Sequence, residues 1–484
     1  MKKTDRYAGQ KARPFDPQWT TYNPALTAYL DGLCADLSAK DTGKRKRRRD
    51  AQPLFEAAIK AIVLDLYRAH QSDPTLEVGI GTGTTALQRK SKSRYGASFI
   101  SARTFIDAME ALQGAGLIML STPHWDDPEM KRSRVARYLA TPSLLWAIER
   151  VGASVVDLRR RKNAEGIRLK DGDKRLVEYG DEAFANLARD RLRIINNMLE
   201  SHWADLALTD KQLAAELKHI SGGRDDEAAQ SFDFAARTVH RVFNNDDWEQ
   251  GGRFYGAWWI SCPSRLRPHI LISGKRTVEV DYSGLHAAML YAQNGQPIPD
   301  DPYERCLTKI GNKAERKLVK QTFNALLNAR SVDRIGEIDG YSPEITGRYW
   351  DDFKQYIVNK YPEFRQHFGS GVGLLLQRKD SDLAETVMLR FAEMRYACLP
   401  VHDSFIVHHG LQADLDHIMR EAFKAEFGIS GKVGIDIGIG EIVEGSDLPI
   451  EPDLDRLFHP VGYEARIQAF WDKQGKVEEA STSI

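Results

Sequence analysis

Apolar positions follow helical spacing over long stretches of the chain and strand spacing over shorter ones. From Leu54 to Tyr67 apolar residues recur every three or four positions, which indicates an amphipathic helix. Ser101 is a residue type that caps helix N-termini, and the apolar positions after it keep the helical period until Gly114. The helices predicted in this way include residues 54–67, 101–113, 184–199, 210–218 and 463–471.

Alternating positions predict a β-hairpin directly after the helix at 101–113. Its strands are residues 117–120 and 134–139, and residues 126–128 form a polar tip. A helix followed by a two-stranded ribbon resembles the winged-helix domains of plasmid replication initiators and bacterial regulators. The alternative is a helix-hairpin module that contacts proteins. The cations expected to touch DNA are Lys92, Arg94, Arg103, Lys131, Arg132 and Arg134.

The amino-acid composition limits the classes of protein to which the chain can belong. The chain of 484 residues has 42% hydrophobic and 28% charged residues, which is typical of folded globular proteins. Its four cysteines form no CxxC pair, and no run of about 18 apolar residues is present. We therefore expect a cytoplasmic protein without a disulfide framework, a Cys-built zinc site or a membrane span.

Charge is balanced overall but clustered locally. Lys plus Arg and Asp plus Glu each number 68, so any preference for nucleic acid must come from local groups. Six consecutive cations at 44–49 predict that residues 1–50 are a flexible basic arm, which is either a solvated run or a phosphate-binding segment.

Two acidic residues stand at positions suited to a metal site. Residues 276–282 alternate as a strand and the following residues have helical spacing, with Asp281 at the junction. Residues 398–407 read as a tight β-hairpin with Asp403 at its tip. Between them, a helix places four polar residues along one face, namely Arg316, Lys320, Asn324 and Asn328.

These three stretches resemble motifs of the family A DNA polymerases and of the single-subunit RNA polymerases. Residues 281–286 (Asp-Tyr-Ser-Gly-Leu-His) are similar to the first palm motif, and 401–405 (Val-His-Asp-Ser-Phe) to the second. Arg316 and Lys320 are similar to the cations of the fingers helix. Weaker similarities lie at Gly252-Arg253 and at Gln377. The resemblance spans about residues 250–443 and leaves out the N-terminal half.

The resemblance implies an α/β fold of the α+β kind. It implies a right-hand polymerase palm with an antiparallel sheet and helical fingers and thumb, preceded by the winged helix-turn-helix domain. The expected divisions are the basic arm (1–50), the winged helix (51–150), a helical thumb-like region (151–250), palm and fingers (251–445), and an acidic linker with a C-terminal helix (446–484).

The resemblance also implies the chemistry. Joining a nucleotide to a 3′-hydroxyl uses two Mg²⁺ ions about 3.5 to 4 Å apart, and such ions prefer oxygen ligands. Asp281 and Asp403 would hold both ions, and the carbonyl of Tyr282 would complete one shell. Arg316 and Lys320 would bind the triphosphate. Taken singly, each of these residues is also compatible with a turn, a cap or a solvated helix face.

Further residues are assigned by position in the motifs. His402 is a candidate for orienting the primer end or for a simple hairpin residue, and Arg253 is a candidate DNA contact. The other nucleotide-binding candidates are His286, Asn324, Asn328 and Gln377.

The chain departs from the family pattern at two places that bear on substrate choice. His286 stands where the DNA enzymes usually have Glu, and Asn328 stands where both groups usually have Tyr or Phe. Phe323 is then a candidate for stacking on a base. His286 and Gln377 favour a DNA polymerase, whereas residues 402–404 (His-Asp-Ser) favour an RNA polymerase.

The sequence as a whole predicts a template-directed DNA polymerase without a proofreading exonuclease, acting on a DNA template and primer with nucleoside triphosphates. One alternative is a single-subunit RNA polymerase or primase. The other is a non-catalytic DNA-binding replication initiator or regulator with a relic palm. No membrane partner is expected.

Overall fold

The computed structural model describes residues 12–40, 47–84, 87–88, 92–127, 132–221, 231–437 and 462–482. Within these ranges the fold is mixed α/β. The helices are α1 (Pro24–Ala39), α2 (Gln52–Ser72), α3 (Ala102–Gly114), α4 (Pro142–Arg150), α5 (Ala183–Glu200), α6 (Asp210–Ser221), α7 (Leu285–Gln293), α8 (Lys313–Asn328), α9 (Pro343–Thr346), α10 (Trp350–Lys360), α11 (Gly373–Glu393), α12 (Gln412–Phe427) and α13 (Tyr463–Thr482).

The strands are short except in the second half of the chain. They are β1 (Ala12–Pro14), β2 (Trp19–Thr21), β3 (Glu77–Gly79), β4 (Ile118–Thr122), β5 (Trp125–Asp127), β6 (Arg132–Arg134), β7 (Arg137–Ala140), β8 (Leu158–Arg160), β9 (Ile167–Leu169), β10 (Ala204–Leu206), β11 (His240–Asn244), β12 (Asp247–Tyr255), β13 (Ile270–Ile272), β14 (Lys275–Tyr282), β15 (Leu399–Val401), β16 (Ser404–His408) and β17 (Val433–Ile437).

The prediction of a flexible arm over residues 1–50 is wrong for residues 12–40, which form β1, β2 and α1. Helix α1 starts at the cap Asn23, whose side chain accepts the Leu26 N–H at 3.0 Å, and Pro24 occupies the first turn. Its buried residues recur at helical spacing and pack in the hydrophobic core of the N-terminal module around α2: Leu26, Leu30, Cys34 and Leu37. Residues 1–11 and 41–46 lie outside the described residues.

The N-terminal module is built around α2, which is buried on most of its surface. The sheet of this module has the order β1-β3-β7-β4, in which β3 and β4 are both antiparallel to β7. Helix α3 starts after Ser101, as predicted, although the Ser101 side chain makes no capping hydrogen bond. The predicted hairpin is confirmed, and its outer part is a separate ribbon of β5 and β6.

The prediction that residues 151–250 are mainly helical is wrong. Helices α5 and α6 are present, but β8, β9, β10, β11 and the start of β12 fall in the same region. Strands β12, β11 and β9 form a three-stranded sheet. The strands were missed because their apolar positions are few, and because their polar residues are satisfied by partners distant in sequence.

The largest sheet has the order β10-β13-β14-β16-β15, with β17 also paired to β14, and it positions the acidic residues. Strand β14 is its centre, with β16 along one edge and β13 and β17 sharing the other. Residues 277–280 of β14 are buried in succession, as in a strand covered on both faces. The predicted strand, the helix after it and the hairpin at 398–407 are confirmed.

Helix α11 joins this sheet to the three-stranded sheet. Arg241 of β11 is 1% exposed, and it donates to Glu385 Oε1 (2.7 Å) and Ser381 Oγ (2.9 Å) of α11. Gly252 in β12 has φ +78°, and a Cβ there would lie 2.7 Å from Ser381 Oγ. The absence of a side chain at Gly252 therefore allows β12 to approach α11 closely.

The predicted C-terminal helix is confirmed and extends from Tyr463 to Thr482. Residues 438–461, which include most of the predicted acidic linker, lie outside the described residues. No helix of the described chain is long and apolar enough to cross a membrane.

Candidate functional site

Asp281 and Asp403 lie on neighbouring strands although 122 positions separate them in sequence (403 − 281). Asp281 is the ladder partner of Ser404 in the antiparallel pairing of β14 with β16. The Tyr282 N–H donates to the Asp403 carbonyl oxygen at 3.2 Å. The backbone thus places the two carboxyl-bearing residues side by side at one end of the sheet.

Tight turns with left-handed backbone present both acidic residues. Gly284 has φ +62° and starts α7 just after Asp281, and a Cβ there would lie 2.8 Å from Pro302 Cγ. His402 has φ +58° in the two-residue turn between β15 and β16. A non-glycine residue pays a conformational cost at such an angle, of about 1 to 3 kcal/mol, so the surrounding sheet must hold the turn in place.

Arg253 of β12 is a cation that interacts with Asp403 of this pair. Its guanidinium donates to Asp380 Oδ2 of α11 at 2.8 Å and also interacts electrostatically with Asp403. Burial raises the pKa of Asp380 to about 6, because it outweighs the opposing effect of Arg253, and the Asp403 charge adds to the rise.

His286 lies in the first turn of α7 and is neutral at pH 7. Its pKa is lowered to about 4, mainly by burial and also by the positive charges of Arg253 and Lys320, against the opposing effect of Asp403. Its Nε2 atom is buried and has no hydrogen-bond partner in the described chain. A buried ring nitrogen of this kind is available to a bound ligand.

Arg316 and Lys320 both lie on α8, and Arg316 interacts electrostatically with Asp281. Arg316 is paired with Asp301, from Nε to Oδ2 at 2.6 Å, and this hydrogen bond raises the pKa of Arg316, with a further contribution from Asp281. Lys320 is partly exposed, and no hydrogen bond or ion pair within the described ranges engages its ammonium. Lys320 is therefore the freer of the two for an anionic ligand.

Two of the other nucleotide-binding candidates on α8 have different surroundings. Asn324 carries a buried side-chain oxygen with no partner among the described residues. Asn328 donates to the Asn324 carbonyl oxygen at 2.7 Å and packs against Gly373, where a Cβ would lie 2.2 Å from its Oδ1. Asn328 is therefore engaged at the start of α11.

The remaining candidates differ in whether their side chains are exposed or buried in the core. Gln377 is partly exposed on α11, one turn before Asp380. The Tyr282 ring is buried and its hydroxyl donates to the Met419 carbonyl oxygen at 2.6 Å, so only its backbone faces the site. The idea that Phe323 stacks on a base is wrong, because Phe323 is fully buried among Tyr303, Tyr361 and two further aromatic rings.

His402 and two neighbours complete the rim of the site. The His402 ring is exposed and lies 6.3 Å from the ring of Tyr255 at the end of β12. Gly434 of β17 flanks Asp281 on the other edge, where a Cβ would lie 3.5 Å from Asp281 Oδ1. Sequence reasoning missed Tyr255 as a contact of the turn and Gly434 altogether, because both reach the site only through strand pairing.

The donor set suits a hard cation that keeps open positions. In the described ranges no three His, Cys, Asp or Glu side chains gather in a metal-binding group. Two neighbouring carboxylates and a backbone carbonyl leave the remaining coordination positions to water and substrate oxygens, which is the usual state of protein-bound Mg²⁺.

The cations predicted to contact DNA have unequal surroundings. Arg103 at the start of α3 has an 87% exposed side chain beside Asp107, and Lys92 is also exposed. Arg94 instead stacks on Tyr179 at 3.8 Å and pairs with Glu165 at 3.3 Å, so its guanidinium already has partners. Arg134 is partly buried.

Two of the predicted cations cannot be placed further. Lys131 lies outside the described residues, and Arg132 is placed only as part of strand β6.

Comparison with known proteins adds no relative. No protein-family model matches the chain, and no curated protein matches it.

Proposed function

We propose that the protein is a template-directed nucleotidyltransferase, a DNA polymerase of the family A kind, that extends a primer at the Asp281–Asp403 pair. The observation that carries the proposal is the pairing of β14 with β16, which makes neighbours of two acidic residues from distant motifs. A strand end and a hairpin tip that meet in this way provide the two bridging carboxylates that phosphoryl transfer to a 3′-hydroxyl requires.

Bound Mg²⁺ would supply charge neutralisation at the attacking and leaving oxygens, with Asp281, Asp403 and the Tyr282 carbonyl as its protein ligands. Lys320 has no carboxylate partner in the described chain, and it would take up the triphosphate as a point charge. Arg316 would exchange Asp301 for the same ligand, since its side chain is 43% exposed.

The surroundings of His286 support a role beside the sugar of the incoming nucleotide. This ring is neutral, and its buried Nε2 lacks a partner in the described residues. A bulky neutral side chain in the first turn of α7 would restrict space at the 2′ position, which favours deoxyribonucleotides over ribonucleotides. Primer extension with dNTPs and with rNTPs, supplied separately, tests this preference. Equal incorporation of both would contradict the proposed role of His286.

The N-terminal module would bind DNA as a winged helix. Its element order, α2, β3, α3, β4 and β7, with β7 between β3 and β4 in the sheet, supports this proposal. Arg103 is exposed at the start of α3, where a recognition helix meets DNA. Replacing Arg103 with Gln should weaken duplex binding, and unchanged binding would argue for the alternative protein-contact module.

A primer-extension assay tests the proposal. The wild-type chain should extend a labelled primer on a DNA template with Mg²⁺ and dNTPs, and Asp403→Asn should abolish extension while the fold is retained. Asp173→Asn is the matched control, because Asp173 is a 71% exposed carboxylate in a surface turn. No extension by the wild type on any template or primer would favour a non-catalytic initiator. Incorporation of rNTPs alone would favour an RNA polymerase or primase.

A further inference from the structure

One face of the three-stranded sheet carries cations that the proposed reaction does not use. Val242 of β11 is the ladder partner of Arg253 on β12 and also of Arg168 on β9, so the three residues form one row on the same face. In the next row, two positions along β11, His240 is the partner of Tyr255. The face therefore extends from the Asp403 turn, which Arg253 and Tyr255 approach, to Arg168.

Arg168 is the cation of this face whose guanidinium has no hydrogen bond or ion pair to any described residue. The nearby carboxylates are already engaged. Asp16 accepts from Arg160 at 2.8 Å and from Trp19 Nε1 at 3.2 Å. Glu165 is paired with two other arginines, Arg94 and Arg189.

Charges of both signs lie near Arg168. Burial lowers the pKa of Arg168 and the Arg160 guanidinium lowers it further, whereas Asp16, Tyr95 and Glu165 act in the opposite direction. Burial also lowers the pKa of His240 well below its usual value, and the charges of Arg168, Arg160 and Lys170 act in the same direction. A partly buried cation attracts an anion more strongly than a fully solvated one, because water screens it less.

We propose that this face binds the backbone phosphates of a nucleic-acid strand that runs between the Asp281–Asp403 pair and Arg168, and that Arg168 is a phosphate contact. The inference rests on the proposed function, since it names how the same site holds its nucleic-acid substrate. Arg168 was not singled out by the sequence. The arginines of α5 differ from it, since Arg189, Arg191 and Arg193 are each paired with a carboxylate.

The dimensions of the sheet fit such a strand. Neighbouring β-strands lie about 4.8 Å apart, so the backbones at Arg253 and Arg168 are separated by about 10 Å across two strand spacings. A stacked nucleic-acid strand advances about 3.4 Å per nucleotide, so this separation corresponds to roughly three nucleotides. Tyr255, which is 38% exposed beside His402, offers a flat ring on which a base near the primer end can stack.

The test is the salt dependence of primer–template binding by the full chain. Fluorescence anisotropy of a labelled primer–template, without nucleotides, gives Kd over a range of KCl concentrations. Arg168→Gln should weaken binding several-fold and should reduce the slope of log K against log salt by about 0.7 to 0.9, the value for one phosphate contact. Arg168→Lys should restore most of the slope, because it keeps the charge.

Arg175→Gln is the matched control, since Arg175 is 76% exposed and paired with Asp173, and its slope should equal that of the wild type. A wild-type chain that extends primers, combined with an unchanged slope in Arg168→Gln, would overturn this inference alone. Failure of the wild type both to bind primer–template and to extend it would overturn the proposed function, and the inference with it.

Discussion

At the scale of single residues, Asp380 shows how burial and an ion pair compete. Asp380 is 2% exposed and paired with Arg253, yet its pKa is raised to about 6. The loss of hydration destabilises the ionised carboxylate more than the Arg253 guanidinium stabilises it. An acid with a raised folded-state pKa binds its proton more tightly in the folded protein than in the unfolded chain. It therefore stabilises the fold at low pH, and that stabilisation is lost as pH rises from about 4 through 6.

We expect this effect in the pH dependence of unfolding. Between pH 5 and 7 the wild-type free energy of unfolding should fall by about 1 kcal/mol more than that of Asp380→Asn, which cannot ionise. Urea titrations of both proteins at the two pH values measure the difference. Parallel pH profiles for the two proteins would show that the ion pair compensates fully for burial.

At the scale of elements, the start of α7 depends on a glycine for two separable reasons. Gly284 has φ +62°, and a Cβ would also lie 2.8 Å from Pro302 Cγ. Gly295, just after the end of the same helix, has φ +64° with nothing within 4 Å of a Cβ. Alanine at either position imposes the left-handed strain, of about 1 to 2 kcal/mol, but only at 284 does it also overpack.

The comparison of Gly284→Ala with Gly295→Ala isolates the steric contact. We expect Gly284→Ala to cost about 1 to 3 kcal/mol more in the free energy of unfolding. It should also reduce any primer extension more than Gly295→Ala does, because Asp281 lies three residues before Gly284. Chemical denaturation of the two variants measures the first effect, and equal losses of stability would contradict the Pro302 contact.

At the scale of the whole molecule, the C-terminal helix α13 is tied to the largest sheet. Arg466 makes two hydrogen bonds to Asp205 of β10, at 2.7 and 2.6 Å, and Asp205 also accepts from Trp203 Nε1 at 2.7 Å. Asp205 is 2% exposed, so its charge depends on these donors. Further along α13, Lys473 pairs with Asp157 at 2.5 Å, which connects the helix to the N-terminal module as well.

Removing the Arg466–Asp205 ion pair should lower the free energy of unfolding of the whole chain. Arg466→Met leaves the Asp205 carboxylate buried without its ionic partner, and we expect a loss of about 3 kcal/mol in the free energy of unfolding. Arg390→Met is the control, since Arg390 pairs with Glu393 on the surface and is 64% exposed, and its loss should stay below about 0.5 kcal/mol. Equal effects in thermal or urea unfolding would show that α13 contributes little.

Local pattern predicted the elements that carry the acidic residues. The alternation in β14, the helical spacing after Asp281 and the polar tip of the hairpin at 402–403 are each visible within about ten residues of sequence. The local hydrophobic pattern did not predict elements whose stability depends on contacts with residues distant in sequence. Helix α1 was missed although only two of its residues, Asp31 and Asp36, are charged, because the polar residues before Pro24 and the cations at 44–49 dominate the composition of residues 1–50. Strand β9 has only three residues, and its pairing partner, β11, follows about 70 positions later.

The sequence by itself determined which residues have the chemistry to act: two acids in turns, cations on a helix face and a histidine in the first turn of α7. Only the tertiary structure decided which of them meet. Whether a charged side chain has an ionic partner depends on the neighbours that the fold places beside it. Arg94 and Arg189 both pair with Glu165. The Lys320 ammonium and the Arg168 guanidinium form no ion pair within the described chain. Strand pairing and desolvation act between residues far apart in the chain, and for that reason no local pattern encodes them.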